Sequence, residues 1–365
     1  MAQNSLPADS AERLTGWLRT QLRDAHEVRV EGLEAAELGH SAETLLLTVV
    51  SCDDGGDSRQ DVVVRLRPPE PGLLPPYDLK RQFEVLRALE GTAVRAPRAW
   101  WHEPTGKVLG REFYVMERLD GEVYEQTVPA GIESDPDRLR AMCFGIVEQF
   151  AAIHLVDLHA SGLASLADGS TYLDRELDHW ESEIRRVQRG PLPAIERLLT
   201  EVRTRQPEPC PRITLVHGDP KPGNVGFAGA EVSAVYDWEL ATIGDPLADI
   251  GWLELLWGFP VGLPTVPGAP TVDEIVAHYE RLTGISTRHR EWYRAFQGLK
   301  MTVINLSGSM MFESGETDDL RLAMMGHTVH WMTRRTLAEL GIHDEIEPGP
   351  VAPSSERMAA VAGTA

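Results

Sequence analysis

Apolar residues recur along the chain in two rhythms, and the change from one to the other divides it. Leu14, Trp17, Leu18 and Leu22 stand at helical spacing behind Asp9 and Ser10, either of which can cap, so a short amphipathic helix is predicted there. The rhythm then gives way to β-branched and aliphatic runs at Val28 to Val30, Leu45 to Val50 and Val62 to Leu66. The last two flank Cys52-Asp53-Asp54-Gly55-Gly56-Asp57, a loop suited to a hairpin. After Pro68, Pro69, Pro71, Pro75 and Pro76, helical spacing returns at Phe83, Leu86 and Leu89. Two more strands are predicted around Lys107, the stronger running from Glu112 to Glu117. Residues 1–120 therefore read as an α+β unit built on an antiparallel sheet.

Beyond Gly121 the helical period dominates. Leu139, Met142, Ile146, Val147, Phe150 and Ile153 form one face of a long helix, and Leu173, Leu177, Trp180 and Ile184 repeat the pattern. A helix from about Asp319 to Leu340 is predicted to turn Leu320, Met324, Val329, Met332 and Leu337 inward. Residues 121–344 read as a mainly helical unit, with the boundary near Leu119 to Glu122. The tail 345–365, rich in Pro, Ala and Ser, is expected to be disordered. No internal repeat is visible.

Composition narrows the function classes. Lys and Arg number 35 against 56 Asp and Glu, a formal charge of −21 over 365 residues. Nucleic acid and membrane surfaces are not expected as partners, because both attract clustered cations. Three separated cysteines, Cys52, Cys143 and Cys210, fit neither a zinc site nor a disulfide framework, and no signal-like or spanning apolar run is present. The expected setting is cytoplasmic.

The chemistry concentrates between Leu215 and Asp249. His217-Gly-Asp219-Pro-Lys221-Pro-Gly-Asn224 has the Asp-x-x-x-x-Asn spacing of a kinase catalytic loop, in which a carboxylate orients the acceptor hydroxyl and an amide oxygen holds a metal. Val225 to Phe227 and Val232 to Tyr236 flank Ala228-Gly229-Ala230, and as a hairpin they bring Asn224 opposite Asp237. Hard oxygen donors of this kind suit Mg²⁺ when substrate phosphates and waters complete the octahedron. His217 is expected to brace the loop, and Asp245 and Asp249 to tie it to the next helix. Trp252, Trp257 and Trp292, and Met310, Met311, Met324 and Met325, read as core packing. The acids from Glu313 to Asp319 read as a favourable charge before a helix N-terminus.

These motifs, in this order, resemble the aminoglycoside phosphotransferase family of the kinase-like superfamily, in particular its acyl-CoA-dehydrogenase-associated branch with its D-W-E-L-A-T-x-G-D-P-x-x-D stretch. Leu38-Gly39-His40-Ser41-Ala42-Glu43-Thr44 is similar to that family's nucleotide-covering loop, and Phe113 to Gly121 to its last sheet strand and adenine-contacting linker. The likeness runs from about Gly32 to Leu340. It implies a bilobal protein-kinase-like fold with catalytic Asp219, Mg²⁺ on Asn224 and Asp237, and Lys221 near the transferred phosphate. It further implies ATP phosphates under Gly39, His40, Ser41 and Thr44, and adenine against the backbone near Glu117 and Leu119.

Two positions depart from the kinase pattern. The strand expected to carry a phosphate-pairing lysine reads Val64-Arg65-Leu66-Arg67, and Gln82 stands where the helix should offer a glutamate. Arg65 and Arg67 share one face of that strand, so either can serve while the other is a solvated rim charge. Gln82 can hold a guanidinium by its carbonyl oxygen, whereas Glu84 lies about 200° round the helix. With Lys221, the two arginines are expected to form a small positive island. The reading that follows is a Mg-ATP-dependent transfer of phosphate to a hydroxyl of a small molecule. A non-catalytic nucleotide sensor and a metal-dependent hydrolase are the alternatives, and the acceptor itself carries no legible motif.

Overall fold

Residues 6–36, 43–70, 72–73, 75–167 and 171–363 are described by the structure, a computed structural model. The first part opens with helix α1 (Ser10–Gln21), followed by strands β1 (Glu27–Ala35), β2 (Glu43–Asp53) and β3 (Gly56–Leu66), helix α2 (Leu79–Ala88), and strands β4 (Ala99–Glu103) and β5 (Phe113–Glu117). The five strands form one antiparallel sheet in the order β1-β2-β3-β5-β4. Asp54 and Gly55 make the β2–β3 turn, where the Gly55 N–H donates to Asp53 Oδ1 at 2.7 Å. Alternation along β3 sends Val62, Val64 and Leu66 into a core with Leu14 and Leu18 of α1. Arg65 consequently emerges on the opposite face, the one that α2 covers. The cap of α1 differs from expectation: Asp9 pairs with Arg13 at 2.8 Å and makes no side-chain cap.

The second part contains α3 (Ala130–Glu133), α4 (Pro136–His154), α5 (Tyr172–Val187), α6 (Pro193–Thr204), β6 (Thr214–Val216), β7 (Val225–Ala228), β8 (Glu231–Val235) and β9 (Thr242–Gly244). It ends with α7 (Pro246–Trp257), α8 (Val272–Thr283), α9 (Arg290–Glu313), α10 (Leu320–Glu339) and α11 (Ser355–Ala362). One continuous core runs from Leu86 and Tyr114 under the sheet through Phe150, Leu177 and Trp238 to Phe296 and Val303. The backbones of α7 and α9 touch at Gly251, where a Cβ would lie 2.6 Å from the Tyr293 carbonyl. Trp252, Trp257 and Trp292 are buried. Among the described residues no helix is long and apolar enough to cross a membrane.

Two expectations are overturned. Leu320 and Met324 are 48% and 54% exposed, whereas Leu322, Gly326, Val329, Thr333 and Thr336 form the buried stripe of α10. Leu320 and Met324 stand two residues before Leu322 and Gly326, about 200° round the helix from them. The tail as far as residue 363 is folded rather than disordered: Ser354 caps α11, Val351 and Val361 are buried, and Arg357 donates to the carbonyls of Phe312 (2.9 Å) and Thr317 (3.2 Å). Phe312 stands in the last turn of α9 and Thr317 in the loop after it, where carbonyls have no i+4 helical donor, so a distant arginine finds acceptors there that composition does not reveal. Deleting residues 349–365 is expected to lower unfolding stability by about 2–5 kcal/mol in urea titration, from lost burial and hydrogen bonds. A truncation without effect would show the docking to be idle.

Candidate active site

Pairing of β6 with β9 sets Val216 beside Thr242 and so brings the loop after β6 alongside the segment before β9. The β7–β8 hairpin closes the same unit, since the Tyr236 N–H donates to the Asn224 carbonyl at 2.8 Å. His217 is fully buried between the two segments. Its Nε2 meets the Tyr236 carbonyl at 2.9 Å and its Nδ1 accepts from the Asp219 N–H at 3.2 Å, which requires the neutral Nε2–H tautomer. Burial lowers its pKa, consistent with that tautomer. Gly218 has φ +87°, and a Cβ there would meet the Leu240 carbonyl at 2.6 Å, so glycine is required on both counts.

Asp249, in the first turn of α7, holds this loop from below. Its Oδ2 accepts from the His217 N–H at 2.7 Å and its Oδ1 from the Gly218 N–H at 2.8 Å, with His154 Nε2 at 3.0 Å. Burial alone would raise its pKa, but the His154 contact and the backbone donors outweigh it, and the carboxyl stays below its usual range. Asp245 caps α7 through Leu247 N–H and ties in Cys210 N–H and Tyr293 Oη, all at 2.7–2.9 Å. Burial moves its pKa up. Asp249 thus ties the loop to α7 as expected, whereas Asp245 ties α7 to Cys210 before β6 and to Tyr293 of α9 and bonds to no described residue of the loop.

On this frame Asp219 presents its carboxylate. Oδ1 accepts from Trp252 Nε1 at 2.7 Å, Oδ2 from Asn224 Nδ2 at 2.8 Å, and Lys221 Nζ lies 3.4 Å from Oδ2. Desolvation opposes ionisation, yet the Lys221 and Lys300 charges and the Asn224 hydrogen bond prevail and the pKa is lowered. Lys221 also reaches Glu125 at 3.5 Å; burial pulls its pKa down, but these carboxylates raise it on balance. Asp237 follows β8 in the left-handed region at φ +61°, a conformation rare for a residue with a side chain and one that marks functional turns.

The structure separates the two arginines. Arg65 NH2 meets Asp237 at 3.0 Å and Glu239 at 3.4 Å, and its NH1 donates to Thr44 at 3.0 Å. Arg67 instead lies with Glu112 at 3.3 Å and Glu70 at 3.7 Å, away from Asp237. Gln82 does not hold the guanidinium: its Oε1 accepts from Tyr114 Oη at 3.2 Å, and Asp237 and Glu239 take that role. Thr44 sits in β2 opposite Arg65, while Gly39, His40 and Ser41 lie outside the described residues. Glu117 ends β5, where its N–H donates to the Arg98 carbonyl at 2.8 Å, and the Leu119 carbonyl accepts from Tyr236 Oη at 3.3 Å. The expected positive island is therefore balanced at once: Arg65 and Lys221 stand among Asp219, Asp237, Glu239 and Glu125.

Beside Asp219 opens a cavity of about 230 Å³ lined by Tyr77, Glu176, Trp180, Gly218, Glu239 and Lys300, among others. Lys300 was not anticipated, although its spacing betrays it: Phe296, Leu299, Lys300 and Val303 share the buried face of α9, where a lysine is out of place. Glu239 and Trp252 were likewise missed as site residues. Glu239 lies inside the Asp-Trp-Glu-Leu run, and Trp252 on a helix apolar all round, so neither carried a separate signal.

Asn224 spends its amide nitrogen on Asp219, which leaves the carbonyl oxygen available to a cation; the hairpin pairs Asn224 with Tyr236, so Asp237 follows one residue past the expected position opposite Asn224. Among the described residues no group of three or more His, Cys, Asp or Glu forms a metal cage. One amide and one carboxylate fit Mg²⁺ brought in with phosphates, which takes few protein ligands.

Comparison with known proteins gives this geometry its context. The sequence model of the phosphotransferase enzyme family matches residues 33–296. Acyl-CoA dehydrogenase family member 11 of Rattus norvegicus is 30% identical over 244 residues, 64% of this chain and 31% of that protein. Family member 10 of Mus musculus is 31% identical over 258 residues, 67% of this chain and 24% of its own length. The chain thus spans a third or less of these relatives. Among solved structures, a putative aminoglycoside phosphotransferase from Ralstonia eutropha superposes with TM-score 0.74 at 24% identity, over 92% of this chain and 99% of that one. An aminoglycoside phosphotransferase in ternary complex with AMP-PNP and hygromycin B gives 0.55 at 19%, over 91% and 98%. The bilobal kinase-like fold expected from the motifs is the fold observed.

The neutral burial of His217 has a pH signature. Its folded pKa lies below the ordinary 6.5, so its stability contribution is complete above about pH 6.5 and is lost as pH falls from there towards the folded value. Urea unfolding between pH 7 and 5 should show stability falling with acidity, and His217→Asn should flatten that slope. An unchanged slope would mean that another group carries it.

Proposed function

We propose a reaction for this chain, which belongs to the phosphotransferase enzyme family: transfer of the γ-phosphoryl group of ATP, with Mg²⁺, to a hydroxyl of a small molecule bound in the cavity beside Asp219. The observation that carries the reading is the convergence of Asp219, Asn224, Asp237 and Arg65 at one end of the two-segment frame. Mg-ATP supplies the phosphoryl group and a cation that neutralises phosphate oxygens. Asn224 Oδ1 and the Asp237 carboxylate would hold that cation. Asp219 has lone pairs beyond those used by Trp252 and Asn224, so it can take the acceptor's hydroxyl proton while the acceptor oxygen bonds to phosphorus and the bond to ADP breaks. Lys221 and Arg65 are placed to offset charge on the transferred group and its neighbours. Arg65 occupies the place of the usual lysine and presents a planar fork in its stead.

The known relatives' names include aminoglycoside phosphotransferases and a choline/ethanolamine kinase family protein, and these suggest a soluble hydroxylated acceptor in general terms only. The rival sensor function requires nucleotide binding without turnover. Mg-ATP and a panel of hydroxylated small molecules, read by coupled ADP release, decides between them. Asp219→Asn is expected to lower kcat by roughly 10²–10⁴-fold with ATP affinity retained. Arg65→Ala should raise the KM for ATP about tenfold, worth about 1.4 kcal/mol. ATP binding with no turnover on any acceptor, unaltered by Asp219→Asn, would favour the sensor.

A further inference from the structure

Neither the motifs nor the proposed chemistry accounts for Lys300. It lies on α9, is 4% exposed, and lines the cavity beside Asp219. Burying an ammonium costs several kcal/mol unless its donors and charge are matched. No carboxylate lies within ion-pair distance of its Nζ among the described residues. It has instead the Gly218 carbonyl at 2.5 Å and the face of Trp252, 4.5 Å from the ring centroid, with the Trp180 ring at 5.9 Å. Gly218 directly precedes Asp219, and the Trp252 indole N–H is the donor to Asp219 Oδ1 at 2.7 Å. The ammonium therefore reaches the carboxylate by two short routes, one through backbone and one through a ring.

We propose that Lys300 is a positioning residue for phosphoryl transfer: it clamps Trp252 and the Gly218 carbonyl, and through them fixes the Asp219 carboxylate towards the acceptor. A cation over an indole face withdraws electron density from the ring, which makes the N–H a stronger donor to the carboxylate beyond it. The Gly218 contact acts along the chain, since φ +87° at that residue sets the direction in which Asp219 leaves it. With Trp252 on Oδ1 and Asn224 on Oδ2, the carboxylate is held at both oxygens. Loss of one support leaves it free to rotate, and misplacement of a catalytic group by about 1 Å can cost 100-fold in rate. The close approach of α7 and α9 at Gly251, one residue before Trp252, brings the lysine and the ring together. The role rests on the proposed transferase reading, but its geometric core can be examined apart from turnover.

The full chain labelled with ¹⁵N at its nine tryptophans provides that examination. The Trp252 indole signal is assigned by its absence in Trp252→Phe, which keeps an aromatic ring and removes the N–H. In Lys300→Met, similar in volume and without charge, that signal should move upfield and exchange faster with water while the remaining indole signals stay in place. Turnover is read as Mg-ATP hydrolysis with water as acceptor. Lys300→Met and Trp252→Phe should each lower kcat about tenfold with the KM for Mg-ATP within twofold, and the double variant should be no slower than the slower single one. An unmoved Trp252 signal in Lys300→Met, unchanged kcat in Trp252→Phe, or multiplied losses in the double variant would overturn the assignment. Should Lys300→Met not fold, the kcat of Trp252→Phe decides. A wild type that hydrolyses no ATP counts against the proposed reaction, and the indole spectrum then decides the Lys300 contact by itself.

Discussion

The buried carboxylate of Asp249 receives the N–H groups of His217 and Gly218, and the geometry of the whole site hangs on that grip. A loop that leaves a three-residue strand has few ladder bonds to direct it. Here two backbone donors are taken by a single side chain anchored in the first turn of α7, and a third contact, from His154, keeps that side chain ionised within the core. His217 then completes the frame by bridging to Tyr236 on the neighbouring segment. Burial without these donors would be costly; with them, the cost becomes rigidity where Asp219 must point.

Charge at the site is distributed in the same spirit. The chain is acidic overall, and the two cations nearest Asp219 and Asp237 each meet carboxylates: Arg65 with Asp237 and Glu239, Lys221 with Asp219 and Glu125. An anionic nucleotide arriving alone would find little net attraction in such a setting. A nucleotide arriving with Mg²⁺ brings the missing positive charge, and the existing ion pairs need only exchange partners. That balance supports a metal-nucleotide complex over a bare anion as the proposed occupant.

Much of this was legible in the sequence, and the limits are physical. Long amphipathic faces such as Leu139 to Ile153 and the alternation through Val62 to Leu66 announced their elements, because burial on one face repeats over many residues. The three-residue strands β6 and β9 offered no period to read, yet they hold the two segments of the candidate site together. The Asp219, Asn224 and Asp237 grouping was visible as spacing. The choice between Arg65 and Arg67 was not, since both lie on one strand face and only the tertiary neighbours Asp237 and Glu112 tell them apart. Leu320 and Met324 misled because an exposed apolar residue leaves the same mark as a buried one. Arg357 and the tail misled in the opposite sense, through contacts with α9 that local composition does not encode. Lys300 was a polar residue on a buried face, a signal present but dwarfed by the apolar run around it.

On the proposed reaction, Asn224 and Asp237 form one half of a metal-nucleotide site whose other half is the nucleotide's own phosphates. Calorimetric titration of the full chain with AMP-PNP, in Mg²⁺ and then in excess EDTA, tests it most directly, with Asp237→Ala alongside. Binding is expected to require Mg²⁺ and to be lost or weakened at least about tenfold in Asp237→Ala, a difference of about 1.4 kcal/mol. Binding of equal strength with and without the metal, indifferent to Asp237, would contradict it.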